Sequence, residues 1–434
     1  MDPDSTDSDS SVDFEIDTEP AFVLDDLVDS DSTPGSGSGS ADSEFIPSNP
    51  GTNPMEHTFD PSLPSQHSYL GTDLTVLYGR TVLDEDDSNW IPLYPQVDVV
   101  LVPGQTLPLA IFNASYIQMI RQVISGNRTF GTICMLRKTP GSDELSHADV
   151  GTTAEIYEAH ESASHHAIRV KAIGRQRFKI LETTDHTSGF LTARVRILPE
   201  VKLPDPLSMM SCPVLDRFRT KANIGASTKR KHNLRLYDSI SSIWPAWVYD
   251  QYDPERLVKQ MLEILSCHKA VSPIPTDPVA LSYWVARSLP IKDSRRLVLL
   301  RMNSAIDRLR WEIFTLNKLS LLCCRQCGQH VAHQQDVFSM SVEGMQGTYC
   351  NVYGYVYETV TIHKATGLRL QNAPPSTEFS WFPGYAWTVA ACSRCRKHMG
   401  WHFTATSPDM KPRGFWGLCR RALEAKLEEV ESTE

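Results

Sequence analysis

Four cysteines in two equal spacings, Cys324-Arg-Gln-Cys327 and Cys392-Ser-Arg-Cys395, and three tryptophans, Trp381, Trp387 and Trp401, are the residues of this chain best suited to chemistry. A C-x-x-C turn presents two sulfurs to one point, and two such turns supply the four thiolates that tetrahedral Zn²⁺ prefers. The 64 residues between the pairs exceed the roughly 15–20 of a compact finger. The ion is therefore expected to close a domain by pinning together the ends of an inserted segment. One structural zinc is predicted, and its removal should unfold that segment, because apparent binding energies of such ions reach about 10–16 kcal/mol. Cys323 cannot join the knuckle without displacing Cys324 and is read as a bystander.

The tryptophans flank a turn. In "STEFSWFPGYAWT", Ser376 to Thr388, Pro383-Gly384 separates Trp381 from Trp387. In "GWHFTAT", leading out of the second knuckle, strand alternation puts Trp401 and Phe403 on one face and His402 and Thr404 on the other. A strand leaving the knuckle would carry Trp401 toward the turn and complete an open-sided aromatic box. By composition alone such aromatics near turns are more often a hydrophobic core.

Segments with distinct patterns must position these residues. With 434 residues, 41% apolar and 22% charged, the chain is expected to form two or three globular domains. Residues 1–70 hold 16 acids and no Lys or Arg, leaving 36 acids against 42 bases. This acidic, Ser- and Gly-rich stretch buries too little to offset its ordering entropy, so residues 1–74 are read as a disordered acidic tail. Phe14, Phe22, Val23, Leu24 and Leu27 could form a docking motif within it.

Residues 75–200 alternate with period two in "QVDVVLVPG", "TTAEIYEA", "HAIRVKAIG", "RQRFKILE" and "LTARVRIL", with one helical run, "ASYIQMIRQVIS". Residues 201–318 read as a helical bundle. Asp253-Pro254 and Asp277-Pro278 are helix starts, and Leu299, Met302, Ile306, Leu309, Ile313 and Leu316 stripe a helix of about 25 residues starting after Asp293. Residues 319–426 read as a zinc-bearing β domain and 427–434 as a C-terminal tail. The fold class is thus α+β and multidomain.

No run of about 18 apolar residues and no basic-then-apolar leader is present, so the chain is expected to be soluble and intracellular. The sequons at Asn113 and Asn127 are then chance matches. The basic cluster "TKRKHNLR", Thr228 to Arg235, is a solvated loop, a nuclear localisation signal or a phosphate-binding patch, and it lacks the aromatic interleaving of a nucleic-acid surface.

The runs "PSTEFSWFPGYAWTVAACSRC", "GWHFTAT", "GFWGL", "LCCRQC" and "NVYGYVYET", with "PQVDVVLVPGQTLPLAIF", "VGTTAEIYEAH" and "VKAIGRQRFKILE" upstream, closely resemble the cereblon family over roughly residues 91–426. The resemblance implies a Lon N-terminal-like β domain, an inserted helical bundle and a C-terminal zinc-bearing β-tent, the CULT domain, that binds cyclic imides. It implies a non-enzymatic substrate receptor of a cullin-4 RING ubiquitin ligase, cytoplasmic and nuclear, with the bundle docking on the β-propeller damage-specific DNA-binding protein adaptor. The implied ligands are glutarimide small molecules and protein substrates ending in cyclic imides.

Carried over residue by residue, Trp381, Trp387 and Trp401 are the cage, Phe403 its floor, and Cys324, Cys327, Cys392 and Cys395 the zinc ligands. Asn351, Glu378 and Tyr385 match family positions around the pocket. Phe379 stands where the family usually has His, removing one side-chain hydrogen bond to an imide carbonyl. Val352 and Tyr353 replace the usual Pro and His on the rim.

Other readings stay open on the residues. A tryptophan cage beside Glu378 could take a methyl-lysine cation, and a β-tent could be a sulfoxide reductase using Cys350 or Cys419. An ATP-dependent Lon protease is excluded, since no G-x-x-x-x-G-K-[ST] phosphate loop occurs.

Overall fold

A computed structural model describes residues 57–86, 88–137, 145–162, 167–202, 245–266, 274–318 and 320–426. The tail up to residue 56, with its apolar residues from Phe14 to Leu27, the basic cluster Thr228 to Arg235 and the C-terminal tail 427–434 lie outside the described residues.

The end of the expected tail is ordered. Residues 57–74 contain only Asp60 and Asp73 as acids, and they bury Phe59 and Leu70. After the short helix α1 (Ser62–Ser65), His67 is 1% exposed and its ring meets Tyr349 at 5.9 Å. Thr58 and Phe59 donate backbone N–H groups to the Lys411 carbonyl, and Lys171 Nζ donates to the Gln66 carbonyl at 2.6 Å. The segment thus straps the C-terminal domain to the first β domain, because its few charges leave enough apolar surface to offset its ordering.

Seven strands follow: β1 (Thr75–Val76), β2 (Ser88–Val97), β3 (Thr106–Ile111), β4 (Thr129–Arg137), β5 (Leu145–Ser162), β6 (Ala167–Asp185) and β7 (Leu191–Leu198). Their order is β1-β5-β4-β2-β7-β6-β3, and an additional β5–β6 pairing closes β5, β4, β2, β7 and β6 into a barrel. Alternation fills it with Leu93, Phe178 and Val195, and with Leu107, Phe130, Ile156 and Val170 beneath α2 (Ala114–Ser125). Asn113 caps α2, its Oδ1 accepting from Ser115 N at 2.9 Å.

"QVDVVLVPG" departs from simple alternation. β2 ends at Val97, Asp98 takes φ +57°, and Val99, Val100, Leu101 and Val102 are all buried. The stretch is covered on both sides, with Val100 and Val102 packed on Tyr283, Leu297 and Leu300 of the bundle.

The described bundle helices are α3 (Ala246–Asp250), α4 (Pro254–Leu265), α5 (Pro278–Ser288), α6 (Asp293–Arg301) and α7 (Ala305–Lys318). Asp253 and Asp277 cap α4 and α5, each ahead of a proline in the first turn, as their sequence requires. The expected helix of about 25 residues is instead two, broken at Met302 (ψ 124°). Arginines stabilise the break: Arg177 donates to the Leu300 and Met302 carbonyls and Arg308 to Met302, pairing acceptors that a continuous helix would have used internally. The apolar stripe survives, because Leu299, Ile306, Leu309, Ile313 and Leu316 still enter one core.

The C-terminal domain is two sheets. β8 (Leu321–Cys324), β9 (His330–His333) and β16 (Leu423–Lys426) form one in the order β16-β8-β9. β10 (Gln346–Cys350), β11 (Val356–Ile362), β12 (Leu368–Leu370), β13 (Tyr385–Cys392), β14 (His398–Ala405) and β15 (Gly414–Cys419) form the other, ordered β10-β11-β15-β14-β13-β12.

All three parts meet at Glu358. Its carboxylate, 5% exposed, pairs with Arg296 of α6 and accepts from Arg420 Nε at 2.8 Å and Gln105 Nε2 at 3.2 Å. Arg420 also pairs with Asp293 and donates to the carbonyls of Ile291 (2.7 Å) and Asp98 (3.2 Å).

Candidate metal centre and aromatic cage

The four knuckle cysteines converge. Their Sγ atoms lie within 4.8 Å of one another, with Cys324 to Cys395 at 3.7 Å and Cys327 to Cys392 at 3.6 Å. A tetrahedral ion with Zn–S bonds of about 2.3 Å requires sulfur separations of about 3.8 Å.

The two knuckles share one backbone form. Gly328 N donates to the Cys324 carbonyl and Arg396 N to the Cys392 carbonyl, and the donors sit at φ +71° and +61°. Glycine meets that left-handed requirement without strain, whereas Arg396 meets it at a cost. A hydrogen bond from Gln329 N draws Cys327 down to about 7, whereas burial pushes Cys324 up to about 12 against the N–H groups of Cys327 and Gln326. This all-cysteine, closed donor set fits a structural zinc, and the site holds one such ion. Cys323 is buried and absent from the cluster, as expected.

The second knuckle is the turn between β13 and β14, and that hairpin carries the aromatics. Trp387 lies opposite Phe403 in the register and Val389 opposite Trp401, so Trp387, Trp401 and Phe403 share a face. The Pro383-Gly384 turn brings Trp381 to them. Tyr385 N bonds the Phe382 carbonyl at 3.0 Å, with Gly384 at φ +86°, a conformation that excludes most side chains. Trp381 and Trp401 meet edge to face, 4.6 Å between centroids at 73°.

Each indole is separately fixed. Trp381 Nε1 donates to the Cys350 carbonyl at 3.2 Å and Trp387 Nε1 to the Glu378 carbonyl at 2.8 Å. Trp381 is 7% exposed, whereas Trp387 and Trp401 are half-buried. Phe403, 1% exposed, stacks on Phe415 at 5.1 Å and meets Phe382 edge-on at 4.8 Å. It lies in the core behind the indoles.

The remaining expected residues take different places. Asn351 Oδ1 accepts from Tyr353 N and Tyr355 N, building the β10–β11 loop that displays Val352 and Tyr353. Glu378 contributes its carbonyl, while its residue as a whole is exposed. Tyr385 is buried and donates to the Pro412 carbonyl at 2.8 Å. Phe379 adopts φ +52° and is 55% exposed, an unusual backbone for a bulky residue.

Sequence reasoning missed Tyr349 and Tyr357. They are cross-strand partners on β10 and β11. Tyr349 stacks on Trp381 at 5.0 Å and 10°, and Tyr357 meets Trp401 edge-on at 5.2 Å. The alternation in "NVYGYVYET" contains the Tyr357 signal, but nothing local pairs it with Tyr349.

Comparison with known proteins agrees with this architecture. Residues 90–318 match the family model of the ATP-dependent protease La (LON) substrate-binding domain. Residues 320–432 match that of Yippee zinc-binding/DNA-binding /Mis18, centromere assembly. Relatives named protein cereblon align with most of the chain. That of Gallus gallus is 42% identical over 86% of this chain and 86% of its own length, and that of Xenopus tropicalis 42% identical over 87% of each. That of Danio rerio is 40% identical over 84% and 87% respectively. A Lon substrate-binding-type barrel carrying a bundle is followed by a four-cysteine zinc domain, relatives at 40–42% identity cover 84–87% of the sequence, and the chain belongs to the cereblon family.

Proposed function

We propose that this protein is the substrate-recognition subunit of a cullin-4 RING ubiquitin ligase and that its tryptophan cage binds cyclic imides. The observation that carries the reading is the hairpin face on which Trp387 and Trp401 stand half-exposed beside Trp381. A flat, uncharged imide offers apolar faces to indole walls and an acceptor-donor-acceptor edge to backbone groups near Phe379 and Trp381. Leaving that edge unpaired in a buried site is costly, which favours imides over plain rings.

In this reading the β-tent selects glutarimides or proteins ending in a cyclic imide, and the bundle docks on the β-propeller adaptor. The partner ligase transfers ubiquitin, so the chain itself is not catalytic. The cytoplasm and nucleus are the expected locations. Burial pushes the thiols of Cys350 and Cys419 up to about 12, which disfavours a reductase reading that needs a thiolate nucleophile.

Calorimetric titration of the full chain with a glutarimide tests the cage. Saturable binding that is lost in Trp387→Ala is expected. Binding unaffected by that change, or a trimethyl-lysine peptide outcompeting the glutarimide, overturns the imide assignment.

A further inference from the structure

Between the barrel and α5, a cavity of about 510 Å³ lies apart from the tryptophan hairpin. Its volume is within the range of small-ligand sites. One wall is the flank of α5, with Val279, Tyr283 and Trp284, and β7 contributes Ile197 and Leu198 opposite.

The inner charges of this wall are rich in arginine. Glu200 is shared between Arg308 and Arg177, the latter at 3.6 Å. Glu155, behind Arg175, is shared between Arg175 at 2.7 Å and Arg128 at 3.5 Å. Each of these two carboxylates therefore faces two guanidinium groups, and the charged side chains that line the cavity are Arg175, Arg177 and Arg287 against Glu85, Glu200 and Asp277. Glu85 and Asp277 also line the cavity but are exposed, where solvent and salt screen them. Asp277 is in addition engaged in capping α5.

Arg287 is the group that this network leaves unanswered. One terminal nitrogen donates to the Gly104 carbonyl at 2.7 Å, and its Nε is buried without a hydrogen-bond partner among the described residues. Glu343 is the carboxyl that attracts it; burial pushes that carboxyl up and the Arg287 charge pulls it back down, with no direct hydrogen bond between the two among the described residues. A desolvated guanidinium with a bare N–H is costly unless an acceptor reaches it, and a carboxylate is the acceptor whose shape matches the guanidinium fork.

We propose that this cavity binds a small amphipathic carboxylate, with its anionic end on Arg287 and its apolar body along Val279, Tyr283 and Trp284. A dianionic phosphate fits less well, because a single free guanidinium edge offers too few donors and the opposing surface is apolar.

The test titrates the full chain with 2-naphthoate and with its neutral counterpart 2-naphthamide, by calorimetry. One naphthoate site is expected, with naphthamide at least about tenfold weaker and Arg287→Met weakening naphthoate by a similar factor. Trp387→Ala should leave naphthoate binding unchanged, separating this cavity from the cage whatever the cage binds. If Arg287→Met fails to fold, judged by zinc content and melting, Val279→Trp serves instead, and it should abolish binding by filling the cavity. No binding at millimolar naphthoate, equal binding of the amide, loss in Trp387→Ala, or retention in a folded Arg287→Met or Val279→Trp overturns the proposal.

Discussion

Tyr357 and Glu358 are consecutive on β11 and serve two different interfaces: the ring of Tyr357 backs Trp401 at 5.2 Å, while the carboxylate of Glu358 holds Arg296 and Arg420 at the junction of the domains. Strand alternation forces this division, since neighbouring side chains leave opposite faces. Burial alone would raise the Glu358 carboxyl, but Arg296 and Arg420 outweigh it and hold the group down at about 2. A depressed acid stabilises the fold above its unfolded value of about 4.5, and that stability is lost as pH falls toward 2. The shift corresponds to roughly 3 kcal/mol. Glu358→Gln should remove this acid-side loss but lower stability at pH 7 by about 3–5 kcal/mol, because two arginines are left buried without their anion. Thermal melts of both proteins at pH 3 to 7 check it, and a variant as stable as the parent at pH 7 contradicts it.

The N-terminal strap should be sensitive to acid through His67. Burial first, and then Lys171, lowers this imidazole to about 3. A histidine kept neutral in the fold but protonated in the unfolded chain costs stability as pH falls below about 6.5, at about 1.4 kcal/mol per pH unit until its folded value is reached. Hydrogen exchange over residues 57–71 should quicken at pH 5.5 relative to pH 7.5 in the parent, beyond the intrinsic change. His67→Gln should show much less of this difference.

The strap also illustrates what was legible in the sequence and what was not. The knuckles, the caps at Asp253 and Asp277 and the run Ala114–Ser125 are local patterns, and each appears where its spacing requires. Residues 57–74 read as part of an acidic tail because composition averages over a window, while the rings that pack on Phe59 and His67 lie some 280 to 330 residues away. The break at Met302 was likewise invisible, since the arginine that donates to its freed carbonyls stands on β6. At the cage, the tryptophans share a hairpin and a turn and so are readable. Tyr349 and Tyr357 become neighbours only through strand pairing.

Phe379 gives a two-way test of the cage. Histidine at this position would add one side-chain hydrogen bond to an imide carbonyl, about 0.5–1.5 kcal/mol, so Phe379→His should tighten glutarimide binding severalfold to about tenfold. Phe379→Gly should instead raise the melting temperature without tightening binding, since φ +52° is strained for a side chain and free for glycine. Calorimetry and melting on the two variants separate recognition from strain. Unchanged affinity in the histidine variant refutes the hydrogen-bond account.

Zinc removal should act on the cage from a distance. The ion closes the β13–β14 hairpin at Cys392, and Trp387 stands five residues along the same strand. Chelation at pH 7, or Cys392→Ser, should release the hairpin's turn and abolish glutarimide binding together with the near-ultraviolet signal of the indoles. Retained binding in a zinc-free protein would mean that aromatic packing alone positions the cage.

The helical bundle carries a charge defect whose removal should stabilise the protein. Glu312 of α7 is fully buried, and neither carboxylate oxygen has a hydrogen-bond partner among the described residues. Burial raises its carboxyl well above the ordinary value, with Arg308 opposing only in part. The sign is opposite to that of Glu358. Below about pH 4.5 both folded and unfolded chains hold the proton. As pH rises past that value the unfolded chain releases it first, so the fold loses about 1.4 kcal/mol per pH unit until its own raised value is passed. Glu312→Gln keeps the shape and cannot ionise, and Glu312→Leu also removes the unpaired polar atoms. Both variants should melt higher than the parent at pH 8, with little difference at pH 4.5, and Leu should gain at least as much as Gln. A parent as stable as Glu312→Gln at pH 8 would require an acceptor or donor for this carboxyl beyond the described residues, and would remove the defect from the account of the bundle.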